Sequence, residues 1–123
     1  MANLLQFQKH KYAARKLVTS RVKFYAEQYG FKPGKISIRN QRSRWGSCNT
    51  KGDLNFNYRL IELAPDLADY VIVHELCHTK EMNHSARFWS LVKQVVPNFN
   101  SCRKEIRKYE RLHAKMSANE AGW

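Results

Sequence analysis

No apolar run in this chain approaches the length of a membrane-spanning helix, which excludes a helical span through a bilayer. The opening stretch, Met1-Ala2-Asn3-Leu4-Leu5-Gln6-Phe7, lacks a secretory leader's pattern, because its apolar part is short and basic residues follow. A cytoplasmic protein without membrane contact is therefore expected. Cysteine is scarce: Cys48, Cys77 and Cys102 form no C-x-x-C pair, and their odd number argues against a disulfide framework. Reduced, mostly buried thiols are expected instead. Internal repeats and low-complexity tracts are absent. The 123 residues suffice for one compact domain and are too few for two, and with 43% apolar residues the chain can build a core. A single domain over 1–123 is expected, fraying from about residue 116.

Acidic residues are also missing from most of the chain. Residues 1–60 hold 13 Lys/Arg against 2 acids, residues 61–100 hold 3 against 5, and residues 101–123 hold 6 against 3. The net charge of +12 is thus concentrated on both sides of a mildly acidic middle. Such a balance favours a polyanionic partner, whether DNA, nucleotide or acidic protein, or else simply solvates the surface.

That acidic middle carries the chemistry. His74-Glu75-Leu76-Cys77-His78 is an H-E-x-x-H segment, with His84 following. Residues four apart share one helix face, so His74 and His78 can reach one metal ion with Glu75 beside them. Two imidazoles hold zinc incompletely, and His84, beyond a turn, is the leading third ligand. Metzincin proteases use the same interval but turn on a glycine where this chain has Glu81. Asn83 is then expected to take up a left-handed conformation. Glu81 is a weaker oxygen donor, and Cys77 lies about 100° round the helix from His78, facing away. His10 and His113 read as surface histidines. Three nitrogens and an open position fit one Zn2+ best, with other divalent transition metals open. Glu75 is the expected general base for an activated water.

Around the motif, periodicity predicts an α+β domain in the order α-β-β-β-α-α-α. A helix over residues 10–29 carries Ala14, Leu17, Val18, Val22, Tyr25 and Tyr29 on one stripe and stops at Gly30. Short strands over 35–40, 43–48 and 53–57 are joined by short turns, predicting a three-stranded antiparallel meander. Pro65 opens the metal-binding helix, whose apolar residues on nearly all sides send it through the core. Ser85 caps a helix to Val95, stopped by Pro97, and a basic helix covers 101–115.

Several segments together resemble the YgjP-like metallopeptidase domain family. They are Arg44-Trp45-Gly46-Ser47-Cys48, Gly52-x-Leu54-x-Phe56-Asn57-x-x-Leu60, Tyr70 to His78, and Asn83-His84-Ser85-x-x-Phe88-Trp89. They span roughly residues 39 to 110 in the family's order. The family is zincin-like and related to the SprT/Spartan and WLM metalloproteases, which digest protein crosslinked to DNA. The resemblance implies a zinc-dependent hydrolase with His74, His78 and His84 as ligands and Glu75 as catalytic base. It also implies a substrate-lining edge strand at 53–57. Asn57 would then donate to substrate or cap the following turn. Arg42 and Arg44 would bind a phosphate or a developing oxyanion, or form a solvated strand face. Trp45 reads as a core anchor, and Phe88 and Trp89 as packing beneath the metal-binding helix. Tyr58 and Tyr109 are further oxyanion candidates.

Three functions fit. A zinc peptidase on peptide or protein substrates, possibly DNA-associated ones, joins the motif to the charge. A nucleoside-triphosphate pyrophosphatase or phosphohydrolase would use the basic strands to hold phosphates. A nucleic-acid-binding module with structural zinc would leave Glu75 without a purpose.

Overall fold

In the computed structural model, residues 2–113 are described; the expected frayed tail lies outside them. The first helix, α1, runs Ala2–Tyr29, eight residues earlier than periodicity predicts. No proline or glycine interrupts residues 2–9, and Phe7 gives this extra length a packing partner, the Tyr58 ring edge-on at 5.4 Å. Ala14, Val18 and Val22, one turn apart, form its buried face. Gly30 ends it with φ 74°, donating its amide to Ala26 O at 2.8 Å. Arg21 clamps the helix sideways, giving Nε and Nη2 to the Asp69 carboxylate at 3.0 and 2.7 Å, while Tyr25 Oη donates to the same group at 2.9 Å.

The strands are β1 (Ile36–Arg39), β2 (Gly46–Cys48) and β3 (Leu54–Asn57), and they correct the predicted meander. The sheet order is β1-β3-β2, with β3 parallel to β1 and antiparallel to β2. The sequence read short turns as consecutive pairings, yet only β2 and β3 form a hairpin. Asn49 closes it, its Oδ1 accepting from the amides of Lys51 and Asp53, with Gly52 at φ 85°. β3 is the apolar strand (Leu54 and Phe56 fully buried), so it takes the centre, paired on both sides. It is not the free edge expected at 53–57; that edge is β2.

The 40–45 segment between β1 and β2 is held by side chains. Asn57 Nδ2 donates to Gln41 O and Arg44 O at 2.6 and 2.9 Å, and Arg59 Nη1 donates to Gln41 O at 2.9 Å. A 3-10 turn (Tyr58–Glu62) follows β3, its Arg59 amide capped by Asn57 Oδ1.

Pro65 opens α2 (Pro65–His78), which is buried on nearly every side. Full burial of Val71, Ile72, Val73 and Leu76 contributes roughly 1.5–3 kcal/mol each, so this helix anchors the core. α3 (Ala86–Val95) starts at Ser85, whose Oγ accepts from the Phe88 amide. α4 (Phe99–Leu112) packs against α2 and is pinned where the buried Trp45 donates Nε1–H to Glu110 Oε2 at 2.9 Å. Trp45 is a core anchor, as its size suggested.

Candidate metal centre

His74 and His78 lie one turn apart on the last turns of α2, and the chain beyond brings His84 back to them. It does so without a left-handed residue: among the described residues no non-glycine has positive φ, so Asn83 does not have the role expected of it. The helix instead unwinds gradually. Lys80 and Glu81 both donate amides to Cys77 O, and Thr79 Oγ1 caps Leu76 O.

The three imidazoles present a ligand atom each, all within 4.8 Å of one another. His84 Nε2 stands 3.1 Å from His78 Nε2 and 3.3 Å from His74 Nε2. Two nitrogens held 2.0–2.1 Å from a tetrahedral zinc are about 3.3 Å apart, so the spacing fits. Protonation makes the point more sharply. His78 Nδ1 faces Glu81 O at 3.0 Å, and a carbonyl only accepts, so the proton sits on Nδ1 and Nε2 turns a lone pair inward. The His78 lone pair thus faces the space it shares with His74 and His84, where a cation would sit. His74 Nδ1 meets the Tyr70 hydroxyl at 3.4 Å, a group that can donate or accept.

Burial lowers all three histidine pKa values: His74 is pushed well below the usual imidazole range by desolvation, with His78, His84 and Arg103 adding to it. His78 is lowered by burial against the opposing hydrogen bond to Glu81, and His84 by burial and then Arg103. Each is neutral near pH 7, the form that ligates metal. Aromatic rings fix their planes. Phe88 stacks on His78 at 4.4 Å and Trp89 on His84 at 5.7 Å, with the Arg103 guanidinium over the Trp89 ring at 4.6 Å. Phe88 and Trp89 thus pack under α2 as expected and also clamp the imidazoles.

Glu75 is 2% exposed, and desolvation pushes its carboxyl up to about 8, with Arg44 pulling the other way. It fits beneath β2 because residue 46 is glycine. A Cβ there would stand 3.0 Å from Asn55 O, 3.1 Å from Phe56 Cδ1 and 3.2 Å from Glu75 Cγ. A cleft of about 300 Å³ lies above, with His74, Glu75 and His78 as its floor. Ser43, Arg44, Gly46, Ser47 and Cys48 form one wall, and Met82 and His84 the other.

The remaining expected residues divide. Arg44 reaches the cleft; Arg42 is exposed outside its lining. Asn57 is fully buried and spends its amide on capping and on the 40–45 segment, so of its two readings the structure places it with the cap. Tyr58 is buried against Phe7, and Tyr109 Oη donates to Glu62 Oε1 at 2.8 Å; neither lines the cleft. Glu81 contributes its backbone carbonyl rather than its carboxylate. Cys77 is buried away from the cleft. His10 is half-buried against Tyr58, not a free surface group, and His113 stacks on Tyr109. Sequence reading missed Tyr70, although it lies one turn before His74. It also missed Gly46, Trp89 as a clamp, and Arg103, which nothing local to the motif announces.

The family model described as YgjP-like, metallopeptidase domain, matches residues 3–109. No curated protein matches the chain. Among solved structures, the metallopeptidase zymogen abylysin of Pyrococcus abyssi is similar, with TM-score 0.69 and 23% identity over 76% of this chain and 95% of that one. The metallopeptidase zymogen jannalysin of Methanocaldococcus jannaschii gives TM-score 0.65 and 20% identity over 78% and 97%. At these identities the likeness is one of fold.

Proposed function

This chain belongs to the YgjP-like metallopeptidase family, and from that premise we propose that it is a zinc-dependent peptidase whose base is Glu75. The observation that carries the proposal is the convergence of three neutral imidazoles, their inward nitrogens 3.1 and 3.3 Å apart, beside a buried carboxylate. His74, His78 and His84 would hold the ion, leaving a position open toward the cleft. When bound, zinc supplies Lewis acidity, polarising a carbonyl oxygen and acidifying water.

The chain's own residues do the rest. β2 offers a free edge along the cleft, on which an extended peptide can lie with its scissile bond over Gly46. Glu75 takes a proton from the attacking water as oxygen joins the carbonyl carbon. It returns that proton to the departing amine as the C–N bond breaks, leaving a carboxylic acid and an amine. With its carboxyl pushed up to about 8 by burial, Glu75 can exchange a proton near neutral pH, and a neighbouring cation would bring it lower.

A nucleotide hydrolase would need several cations to hold its phosphates, whereas among the described residues Arg44 is the only one lining the cleft. The peptide reading is therefore the better supported. A nucleic-acid role keeps one support, the exposed Lys9, Lys16 and Lys23 on α1, where DNA could hold a protein target outside the cleft.

The deciding assay compares zinc-loaded wild type with Glu75→Gln on a denatured protein, with and without DNA, and on nucleoside triphosphates. Peptide cleavage falling about 10²–10⁴-fold in the variant, at equal zinc content, is expected. Phosphate release without peptide cleavage would overturn the reading.

A further inference from the structure

We propose that Arg44 makes this site selective for acidic substrates, favouring an Asp or Glu side chain immediately C-terminal to the cleaved bond. The inference rests on the peptidase reading and adds the substrate class.

Arg44 lines the cleft, its residue is exposed, and it forms no ion pair with any described residue. Its backbone is nevertheless fixed, because Asn57 Nδ2 holds the Arg44 carbonyl at 2.9 Å from a fully buried position. A guanidinium on a fixed stem, lining a cleft and ion-paired to no described carboxylate beyond its longer-range pull on buried Glu75, is a preformed receptor for one. Among the described residues the only acid lining the cleft is Glu75, which lies buried on the floor. Near Arg44 the wall is neutral and small (Ser43, Gly46, Ser47), leaving room for an incoming side chain.

β2 already pairs antiparallel with β3, and a peptide taken in that same sense on its other edge sets the direction. Antiparallel pairing along the free edge of β2 sends a peptide past Cys48, then Gly46, then Arg44. Gly46 stands over Glu75, so the bond to be cut lies there. Residues after the cut therefore run beside Arg44, and those before it beside Ser47 and Cys48. The net charge of +12 adds a long-range attraction for acidic chains.

The test uses quenched fluorescent peptides with amidated C-termini, differing only in Glu, Gln or Lys at the positions flanking the cut. Zinc-loaded wild type should show kcat/KM roughly tenfold higher for Glu than for Lys just after the cut. Arg44→Lys should keep most of that preference and Arg44→Glu should invert it. Uniform loss on all peptides in Arg44→Glu would overturn the proposal, since Arg44 would then act through Glu75; so would a flat wild-type profile. Calorimetric binding of the Glu and Lys peptides to zinc-loaded Glu75→Gln separates the two layers. Cleavage without charge preference removes the acidic subsite and leaves the peptidase. Arg44-dependent binding of the Glu peptide without cleavage by wild type removes the peptidase and leaves the subsite.

Discussion

The floor and the rim of the cleft are built by opposite means. His74, Glu75 and His78 lie on α2, a helix buried on almost all sides, so their positions follow from the core itself. His84, Arg44 and the β2 edge sit on exposed or half-exposed chain. Their positions follow from a few directed contacts: Trp89 against the His84 ring, Asn57 and Arg59 holding the 40–45 segment, and glycine at position 46. Chemistry placed on the core is rigid at a cost in fold stability when altered. Chemistry on the rim can be changed with the fold intact, and such surfaces are where substrate preference is tuned.

The sharpest way to break this comparison is to remove one ligand from each part. His84→Ala should abolish tight zinc binding while the apo protein keeps its melting temperature, because the residue is exposed. His74→Ala should abolish zinc binding and also destabilise the apo protein by about 2 kcal/mol or more, since it empties a site 1% exposed. Metal analysis with chelator competition, alongside denaturant unfolding of the apo forms, checks both. Equal apo stabilities would remove the distinction between floor and rim.

The floor was legible in sequence and most of the rim was not, for a physical reason. H-E-x-x-H works through helix spacing, a local property, and the cap at Ser85 and stop at Gly30 are local too. The sheet order depends on which strand is most apolar on both sides, a competition between segments, and so β3 was expected at the edge it does not occupy. Sequence alone leaves Asn57 open between cap and substrate donor, because its acceptors, Gln41 O and Arg44 O, lie 16 and 13 residues away. Arg103 reaches the site through tertiary packing on Trp89.

Tyr70 lies one turn before His74 on α2 and meets that ligand's far nitrogen. Tyr70→Phe keeps the buried ring and removes the hydroxyl facing His74 Nδ1. Zinc affinity should fall roughly 10–100-fold, as is usual when a ligand's outer hydrogen-bond partner is lost, with little change in apo stability. Chelator competition reads it, and unchanged affinity would show that burial alone orients His74.

Gly46→Ala tests the rim from beneath. The added Cβ meets Asn55 O at 3.0 Å, which is backbone and yields little, and Glu75 Cγ at 3.2 Å, which can move. Stability should drop by about 1–3 kcal/mol, the usual range for overpacking. kcat should fall more than KM rises, because the base is displaced while the edge of β2 remains. A KM effect alone would place the disturbance in substrate binding.

The smallest effect concerns the tie beneath the rim, where Trp45 donates to Glu110. Burial raises the Glu110 carboxyl above its ordinary value, while the Trp45 hydrogen bond and Arg107 hold it down. An acid whose folded pKa is raised binds its proton more tightly in the native state. Its contribution to stability is therefore complete below its ordinary pKa and is lost as pH rises through the folded value. Trp45→Phe deletes the donor that favours the ionised form, so the folded value should climb further and the window of loss should widen upward. Denaturant unfolding at intervals from pH 4 to pH 7 should then show the variant losing more stability across that range than wild type. Comparing the slopes cancels the constant cost of the smaller ring. Parallel curves would mean that the carboxylate finds water when the indole is gone, and that this part of the wall is looser than its burial implies.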